Sequence, residues 1–135
     1  MKLNIELKMN GHQKLLTEKV VAMVEEENFI PQCILTSFDF GEIKKIRGLN
    51  KAIKVGYIFS EKPEDEDVFT ADVDLLSVKK KLVDEEFVIK AHASKKAVHV
   101  WTVDDPDEMR HFIQIGVDNI ITNYPNILKE ILAEK

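Results

Sequence analysis

The sequence predicts an α/β protein built on a parallel sheet. Three observations lead there. Between Ala97 and Thr122 a β-branched and aromatic run, a helical repeat and a second short apolar run follow one another across short joints. A strand–helix–strand of that kind is a crossover unit, and its two strands are parallel. Second, the alternation recurs, giving six strand-type runs along the chain. Third, no composition shift, fixed repeat or flexible linker divides the 135 residues, so one domain with a real core is expected.

Each element has its own justification. Leu3, Ile5 and Leu7 alternate with Asn4, Glu6 and Lys8, so residues 3–8 read as a first strand, starting close to Met1 with no leader. Gly11 and His12 turn the chain. Residues 13–27 place Leu16, Val20, Met23 and Val24 on a helical repeat, and Pro31 closes the joint. Cys33 to Ser37 is a second strand. Asp39 caps a helix carrying Ile43 and Ile46, with Gly48 as its stop. Ile53 to Phe59 is a third strand, residues 61–67 an acidic loop, and Val73 to Ser77 a fourth strand. A helix from about Asp84 to Ser94 presents Phe87, Val88 and Ala91. Val98 to Thr102 is the fifth strand. Asp105 then stands at an N-cap, Pro106 at the first helical position and Glu108 three residues after the cap, a charged capping box. Met109, Phe112, Ile113 and Val117 form that helix's apolar face, and Gly116 supplies a left-handed stop. Asn119 to Thr122 is the sixth strand, and a last helix from Tyr124 buries Leu128, Ile131 and Leu132. A spacing of about 20–30 residues per unit suits a doubly wound sheet or part of a (β/α)8 barrel, and periodicity alone leaves both open.

Composition narrows the function classes. Hydrophobic residues make up 44% and charged residues 32%, values of a soluble globular protein. With a net charge of −5 and no Lys/Arg cluster, nucleic-acid binding is not expected. No apolar run reaches the roughly 18 residues of a spanning helix. The one cysteine, Cys33, excludes an internal disulfide and reads as a small core hydrophobe. The reading leans to a cytosolic setting, with a soluble domain of a membrane protein as the other option.

Two runs identify a family. Val98 to Asp104 reads V-H-V-W-T-V-D, and Gly116 to Pro125 reads G-V-D-N-I-I-T-N-Y-P. They resemble the C-terminal end of the glycerophosphodiester phosphodiesterase family, which carries V-x-V-W-T-V-N, an acidic helix start and G-V-D-G-I-I-T-D-x-P. Two positions differ: Asp104 stands where the family has Asn, and Asn123 where it has Asp. The resemblance implies a (β/α)8 barrel. Against that pattern the chain starts at the third barrel strand and lacks the first two units, so about six of eight strands are expected. Two raw sheet edges would follow, at residues 3–8 and 119–122, and with them self-association or pairing with another chain.

The resemblance also implies a chemistry: hydrolysis of a glycerophosphodiester to glycerol 3-phosphate and an alcohol, assisted by a divalent metal, calcium or magnesium. On a half-exposed strand Glu6 and Lys8 are simply a solvated pair on one face. In a barrel, inward residues at strand C-termini line the active site. The run L-N-I-E-L-K resembles the family's I-E-I-K strand, which implies Glu6 as a metal ligand and Lys8 as a phosphate contact. Carboxylate oxygen suits a hard cation, and fixed positive charge suits a phosphodiester. Trp101, on W-T-V, resembles the Trp that walls the family's substrate pocket, where bare statistics would place it in the core. Phe38, after the second strand, is either a core aromatic or a pocket residue. Ser37 and Asp39 read as helix caps rather than catalysts.

The remaining candidates are weaker. No two of the four histidines have metal-ligand spacing, and only His99, sharing a strand face with Trp101, could reach a pocket. His92 resembles a family helix residue outside the catalytic set; the family's Gly near it is replaced around Lys95, which predicts a poorer helix end. The acidic run Glu61 to Asp67 lacks a calcium-loop register and reads as a solvated loop. The family's H-R, H-D and E-x-D motifs are absent from the sequence. The expectation is therefore a substrate-lining part of a phosphodiesterase, inactive alone and holding no metal tightly. The alternative is a non-catalytic short paralogue that binds a phosphorylated ligand or pairs with a partner subunit. A different phosphate-handling barrel is a third reading.

Overall fold

The computed structural model describes residues 2–9, 15–64 and 67–134. Along them run β1 (Leu3–Glu6), α1 (Leu16–Glu26), β2 (Cys33–Ser37), α2 (Phe40–Leu49), β3 (Lys54–Phe59), β4 (Leu75–Lys79), α3 (Glu85–Ala93), β5 (Ala97–Trp101), α4 (Pro106–Gln114), β6 (Asn119–Ile120) and α5 (Pro125–Leu132). Short 3-10 turns lie at Ile30–Gln32 and Lys80–Leu82. Strand order is chain order, β1-β2-β3-β4-β5-β6. Pairing is parallel between β1 and β2, β2 and β3, and β5 and β6. This is the parallel strand order of a (β/α)8 barrel carried through six of its eight strands, as expected, except that β3 and β4 are joined without an α-helix among the described residues. The turn at Gly11 and His12 lies outside the described residues. Two compact units are distinguished, Met1–Ile58 with Asp72–Leu75 and Phe59–Ala71 with Leu76–Lys135. No helix among the described residues is long and apolar enough to cross a membrane.

In the first unit, register fixes two sheet faces. Glu6 pairs with Thr36 and Thr36 with Gly56; Ile5 pairs with Leu35 and Leu35 with Val55. Leu35 and Val55 are fully buried, as are Ile43 and Ile46 on α2, which packs on β2. Truncating one such side chain to Ala costs about 2–5 kcal/mol. On the other face Gly56 is required: a Cβ there would lie 2.4 Å from Leu75 Cδ1 and 3.0 Å from Thr36 Cγ2. Cys33 is buried, which pushes its thiol pKa up, as a core residue should.

Several bounds differ from expectation for identifiable reasons. The buried face of α1 is Thr17, Val21 and Val24, while Met23 is 62% exposed. The Thr17 hydroxyl donates to the Glu42 carboxylate of α2, on the same buried side as Val21 and Val24. Gly48 does not stop α2. The helix ends one residue later, where Asn50 N–H donates to Ile46 O at 2.9 Å and its side-chain oxygen accepts from Ala52 N–H. β4 starts at Leu75 rather than Val73 because Asp74 does the pairing with its side chain. Its carboxylate accepts from Val55 N–H and from Arg47 Nη2, both at 2.9 Å, while its own N–H donates to Val55 O.

In the second unit, Leu76, Val78, Val98, Val100, Val103 and Met109 are fully buried. The helix starts follow the sequence reading: Asp84 accepts from Phe87 N–H at 2.8 Å, and Asp105 from Glu108 N–H at 3.0 Å. The ends do too. Gly116 takes φ +93°, and Lys95 is forced to φ 60°, a region that a Cβ makes costly. β5 ends at Trp101 and β6 at Ile120, both short of the predicted bounds, although Ile121 N–H still donates to Val100 O at 2.8 Å. On α5, Ile131 is buried but Leu132 is 58% exposed; it is rotated about 100° away from the buried side. Ile113 on α4 is likewise exposed.

Candidate functional site

In the first unit, Glu6, Lys8 and Phe38 line one open recess of about 570 Å³ together with Leu7, Ser37 and Asp39. The chain places them there by pinning its backbone. Leu7, buried between the two charged residues, donates its N–H to Thr36 O at 2.7 Å. Its carbonyl accepts from the buried Ser37 hydroxyl at 2.8 Å, and Ser37 Oγ in turn accepts from Asp39 N–H at 3.0 Å. Asp39 accepts from Glu42 N–H and caps α2. Ser37 and Asp39 thus tie the end of β1 to the start of α2, the capping role read from sequence. The reading needs one correction. β1 ends at Glu6, so Lys8 stands just beyond the strand, where the Leu7 carbonyl accepts from the Ser37 hydroxyl rather than from a strand partner.

Glu6 and Lys8 are exposed, and Phe38 is 51% exposed at the rim. The recess therefore offers an ammonium, a carboxylate and an aromatic face. That set fits an anionic ester with an apolar or hydroxylated portion. It does not make a metal site by itself. Among the described residues no three His, Cys, Asp or Glu side chains come together to hold an ion. Glu6 supplies one oxygen donor group where calcium takes 6–8 oxygen ligands.

Trp101 belongs to the second unit. It is the last residue of β5, half-buried, on the strand face it shares with His99. His99 is 8% exposed, with Nδ1 buried and without a hydrogen-bond partner among the described residues. Burial pushes its pKa down, partly offset by the Asp118 carboxylate, so the neutral ring is favoured. His92 donates to Asp118 Oδ2 at 2.8 Å, and the same oxygen accepts from Val98 N–H at 2.7 Å, a link between α3 and β5. His111 stacks edge-on against Phe112. His12 lies outside the described residues. In the acidic loop Glu61 pairs with Lys81, which holds its carboxyl below the usual range, and Asp67 accepts from Phe69 N–H.

Two features were not read from the sequence. Phe59, Phe69 and Phe87 bracket a cavity of about 200 Å³ at the start of α3. Asp104 accepts from the Asn123 backbone and side chain and from the Thr122 hydroxyl, and these bonds, the backbone one foremost, hold its carboxyl below the usual range.

The parallel βα repeat, with charged side chains gathered at the end of a strand, defines an α/β barrel domain of the kind that builds sites at strand C-termini. A family model described as the glycerophosphoryl diester phosphodiesterase family matches residues 1–127, and the chain belongs to that family. A glycerophosphodiester phosphodiesterase of Arabidopsis thaliana is 36% identical over 53 residues, 39% of this chain and 16% of that protein. The crystal structure of a glycerophosphodiester phosphodiesterase from Parabacteroides distasonis superposes with a TM-score of 0.84 at 26% identity, covering 97% of this chain and 57% of that one. An Oleispira antarctica phosphodiesterase, solved with its product sn-glycerol-3-phosphate, shares the fold with a TM-score of 0.80 at 23% identity, over 99% of this chain and 56% of that one. The chain thus spans little more than half of either structure.

Proposed function

We infer that this chain is the substrate-lining part of a metal-dependent glycerophosphodiester phosphodiesterase, which hydrolyses glycerophosphodiesters to glycerol 3-phosphate and an alcohol. The observation that carries this is the meeting of Glu6, Lys8 and Phe38 in one recess at the end of β1. In this reading Lys8 would neutralise the phosphodiester, Glu6 would be one oxygen ligand of a calcium or magnesium ion, and Phe38 would border the rest of the substrate; the pocket-wall role of Trp101 rests on the family resemblance alone. The general acid–base histidines of the family's H-R and H-D motifs have no counterpart in the sequence. The chain alone is therefore inactive and holds no metal tightly. Its end strands, β1 and β6, with Leu3 42% exposed on the first, favour self-association or pairing with a further chain.

The test is hydrolysis of glycerophosphocholine by this chain alone, with calcium or magnesium present. No turnover above background is expected, and robust turnover contradicts the reading. A second reading, a non-catalytic paralogue that binds a phosphorylated ligand or a partner subunit, rests on the same missing motifs. A natural stop and ribosome-binding site directly upstream of Met1 favour it; an open frame with H-R and E-x-D motifs there favours the first.

A further inference from the structure

Asp104 and Asn123 bond to each other. Asn123 Nδ2 donates to Asp104 Oδ2 at 3.0 Å, Asn123 N–H to Asp104 Oδ1 at 2.8 Å, and Thr122 Oγ1 to that same oxygen at 2.9 Å. Thr122 Oγ1 in turn accepts from Tyr124 N–H. The bonds extend a ladder. Ile121 N–H donates to Val100 O at 2.8 Å and Val103 N–H to Ile121 O at 3.0 Å. Where backbone pairing stops, the Asp104 carboxylate supplies the next acceptor. It joins the segment after β5 to the segment after β6, three residues beyond Trp101.

We propose that Asp104 and Asn123 form one invertible acid–amide clasp that positions the wall carrying Trp101, and that it accepts a carboxylate at either position but not at both. The reasoning is isosteric. With Asn at 104 and Asp at 123, the amide oxygen takes over the bonds from Thr122 and the backbone. Its NH2 then faces a carboxylate oxygen, so all three bonds survive. Carboxylates at both positions set two acceptors about 3.0 Å apart with no proton between them, a like-charge pair. Amides at both keep the pair by turning over one amide, losing only the charge assistance. The bond pattern is independent of the proposed function; only the consequence for a ligand rests on Trp101 as a pocket wall.

The test compares the 135-residue chain with Asp104→Asn, Asn123→Asp and the double substitution. It reads the unfolding midpoint and acrylamide quenching of Trp101, the one tryptophan. Asn123→Asp is expected to lower Tm by roughly 4 °C or more at pH 7. Adding Asp104→Asn to it restores Tm, although Asp104→Asn in the native background lowers Tm slightly. The deficit of Asn123→Asp shrinks as acid supplies a proton for the two carboxylates to share, with Lys80 the other charge acting on Asp104, and the double substitution lacks this response. Quenching of Trp101 rises in Asn123→Asp and returns to the native level in the double. Should Asn123→Asp not fold, a double that folds with native Tm carries the same meaning. A double no better than the sum of its parts overturns the clasp, and unchanged quenching in all four chains overturns the positioning role. Failure of ligands to bind at Glu6 and Lys8 touches neither result.

Discussion

Glu6 illustrates how far single residues can be read. Its alternation with Leu7 shows only that it leaves the core; the pinning of Leu7 by Thr36 O and Ser37 Oγ is what sets Glu6 and Lys8 on one recess. In a complete barrel, Lys8→Ala should lower kcat by about 10²–10³ if its ammonium stabilises developing charge on the phosphoryl group. Steady-state kinetics on glycerophosphocholine checks this, and an unchanged kcat with a raised KM would reduce Lys8 to a ground-state contact. His99 makes a separate prediction. Burial holds its pKa below the ordinary value near 6.5, so below that pH the unfolded chain binds more protons than the folded one. Its contribution to stability is complete above about pH 6.5 and is lost as pH falls through the folded value. Tm of the native chain should therefore drop more between pH 7 and pH 5 than Tm of His99→Gln. Equal slopes would show that His99 does not titrate with unfolding. The Asp104–Asn123 bond lay beyond sequence reading, because a hydrogen bond between residues 19 apart leaves no periodicity.

At the scale of elements, what was legible is what local chemistry decides. Asp39 and Asp105 cap their helices as read, and Asp84, read only as the start of a helix, caps it too, because an N-cap is a short-range bond to the third residue on. Replacing Asp84 by Ala should cost about 1 kcal/mol in chemical denaturation, with an unchanged m-value. At the start of β4 a tertiary partner intervenes, Asp74 bonding Val55 and Arg47. The end of α2 is local: Asn50 bonds Ile46 O and Ala52 N–H one residue past Leu49. Side-chain position on a helix is also tertiary: α1 packs on α2 with Thr17, Val21 and Val24 buried, which leaves Met23 outward, and Leu132 lies off the packed side of α5. Gly56 belongs here as well. Its run reads simply as strand, and only the approach of Leu75 explains why a side chain is excluded. Gly56→Ala should destabilise by about 1–3 kcal/mol through overpacking, measured by urea unfolding.

For the whole molecule, the fold class was legible because alternating strand and helix runs with short joints admit few architectures, while the choice of a barrel came from the resemblance at residues 98–104 and 116–125. β1 and β6 stand at the ends of the strand order, and the chain spans little more than half of the related structures described above. Sedimentation should show a dimer or larger species at micromolar concentration, and Leu3→Lys on β1 should shift it toward monomer; a monomeric native chain would contradict the role given to that edge. The most direct test of the account joins this chain to two preceding βα units from a relative. Glycerophosphocholine hydrolysis is then compared between the joined barrel, the same barrel with Glu6→Gln, and the 135-residue chain. The account predicts metal-dependent turnover only in the joined barrel with Glu6 intact. Turnover by the chain alone, or full activity with Glu6→Gln, would contradict it.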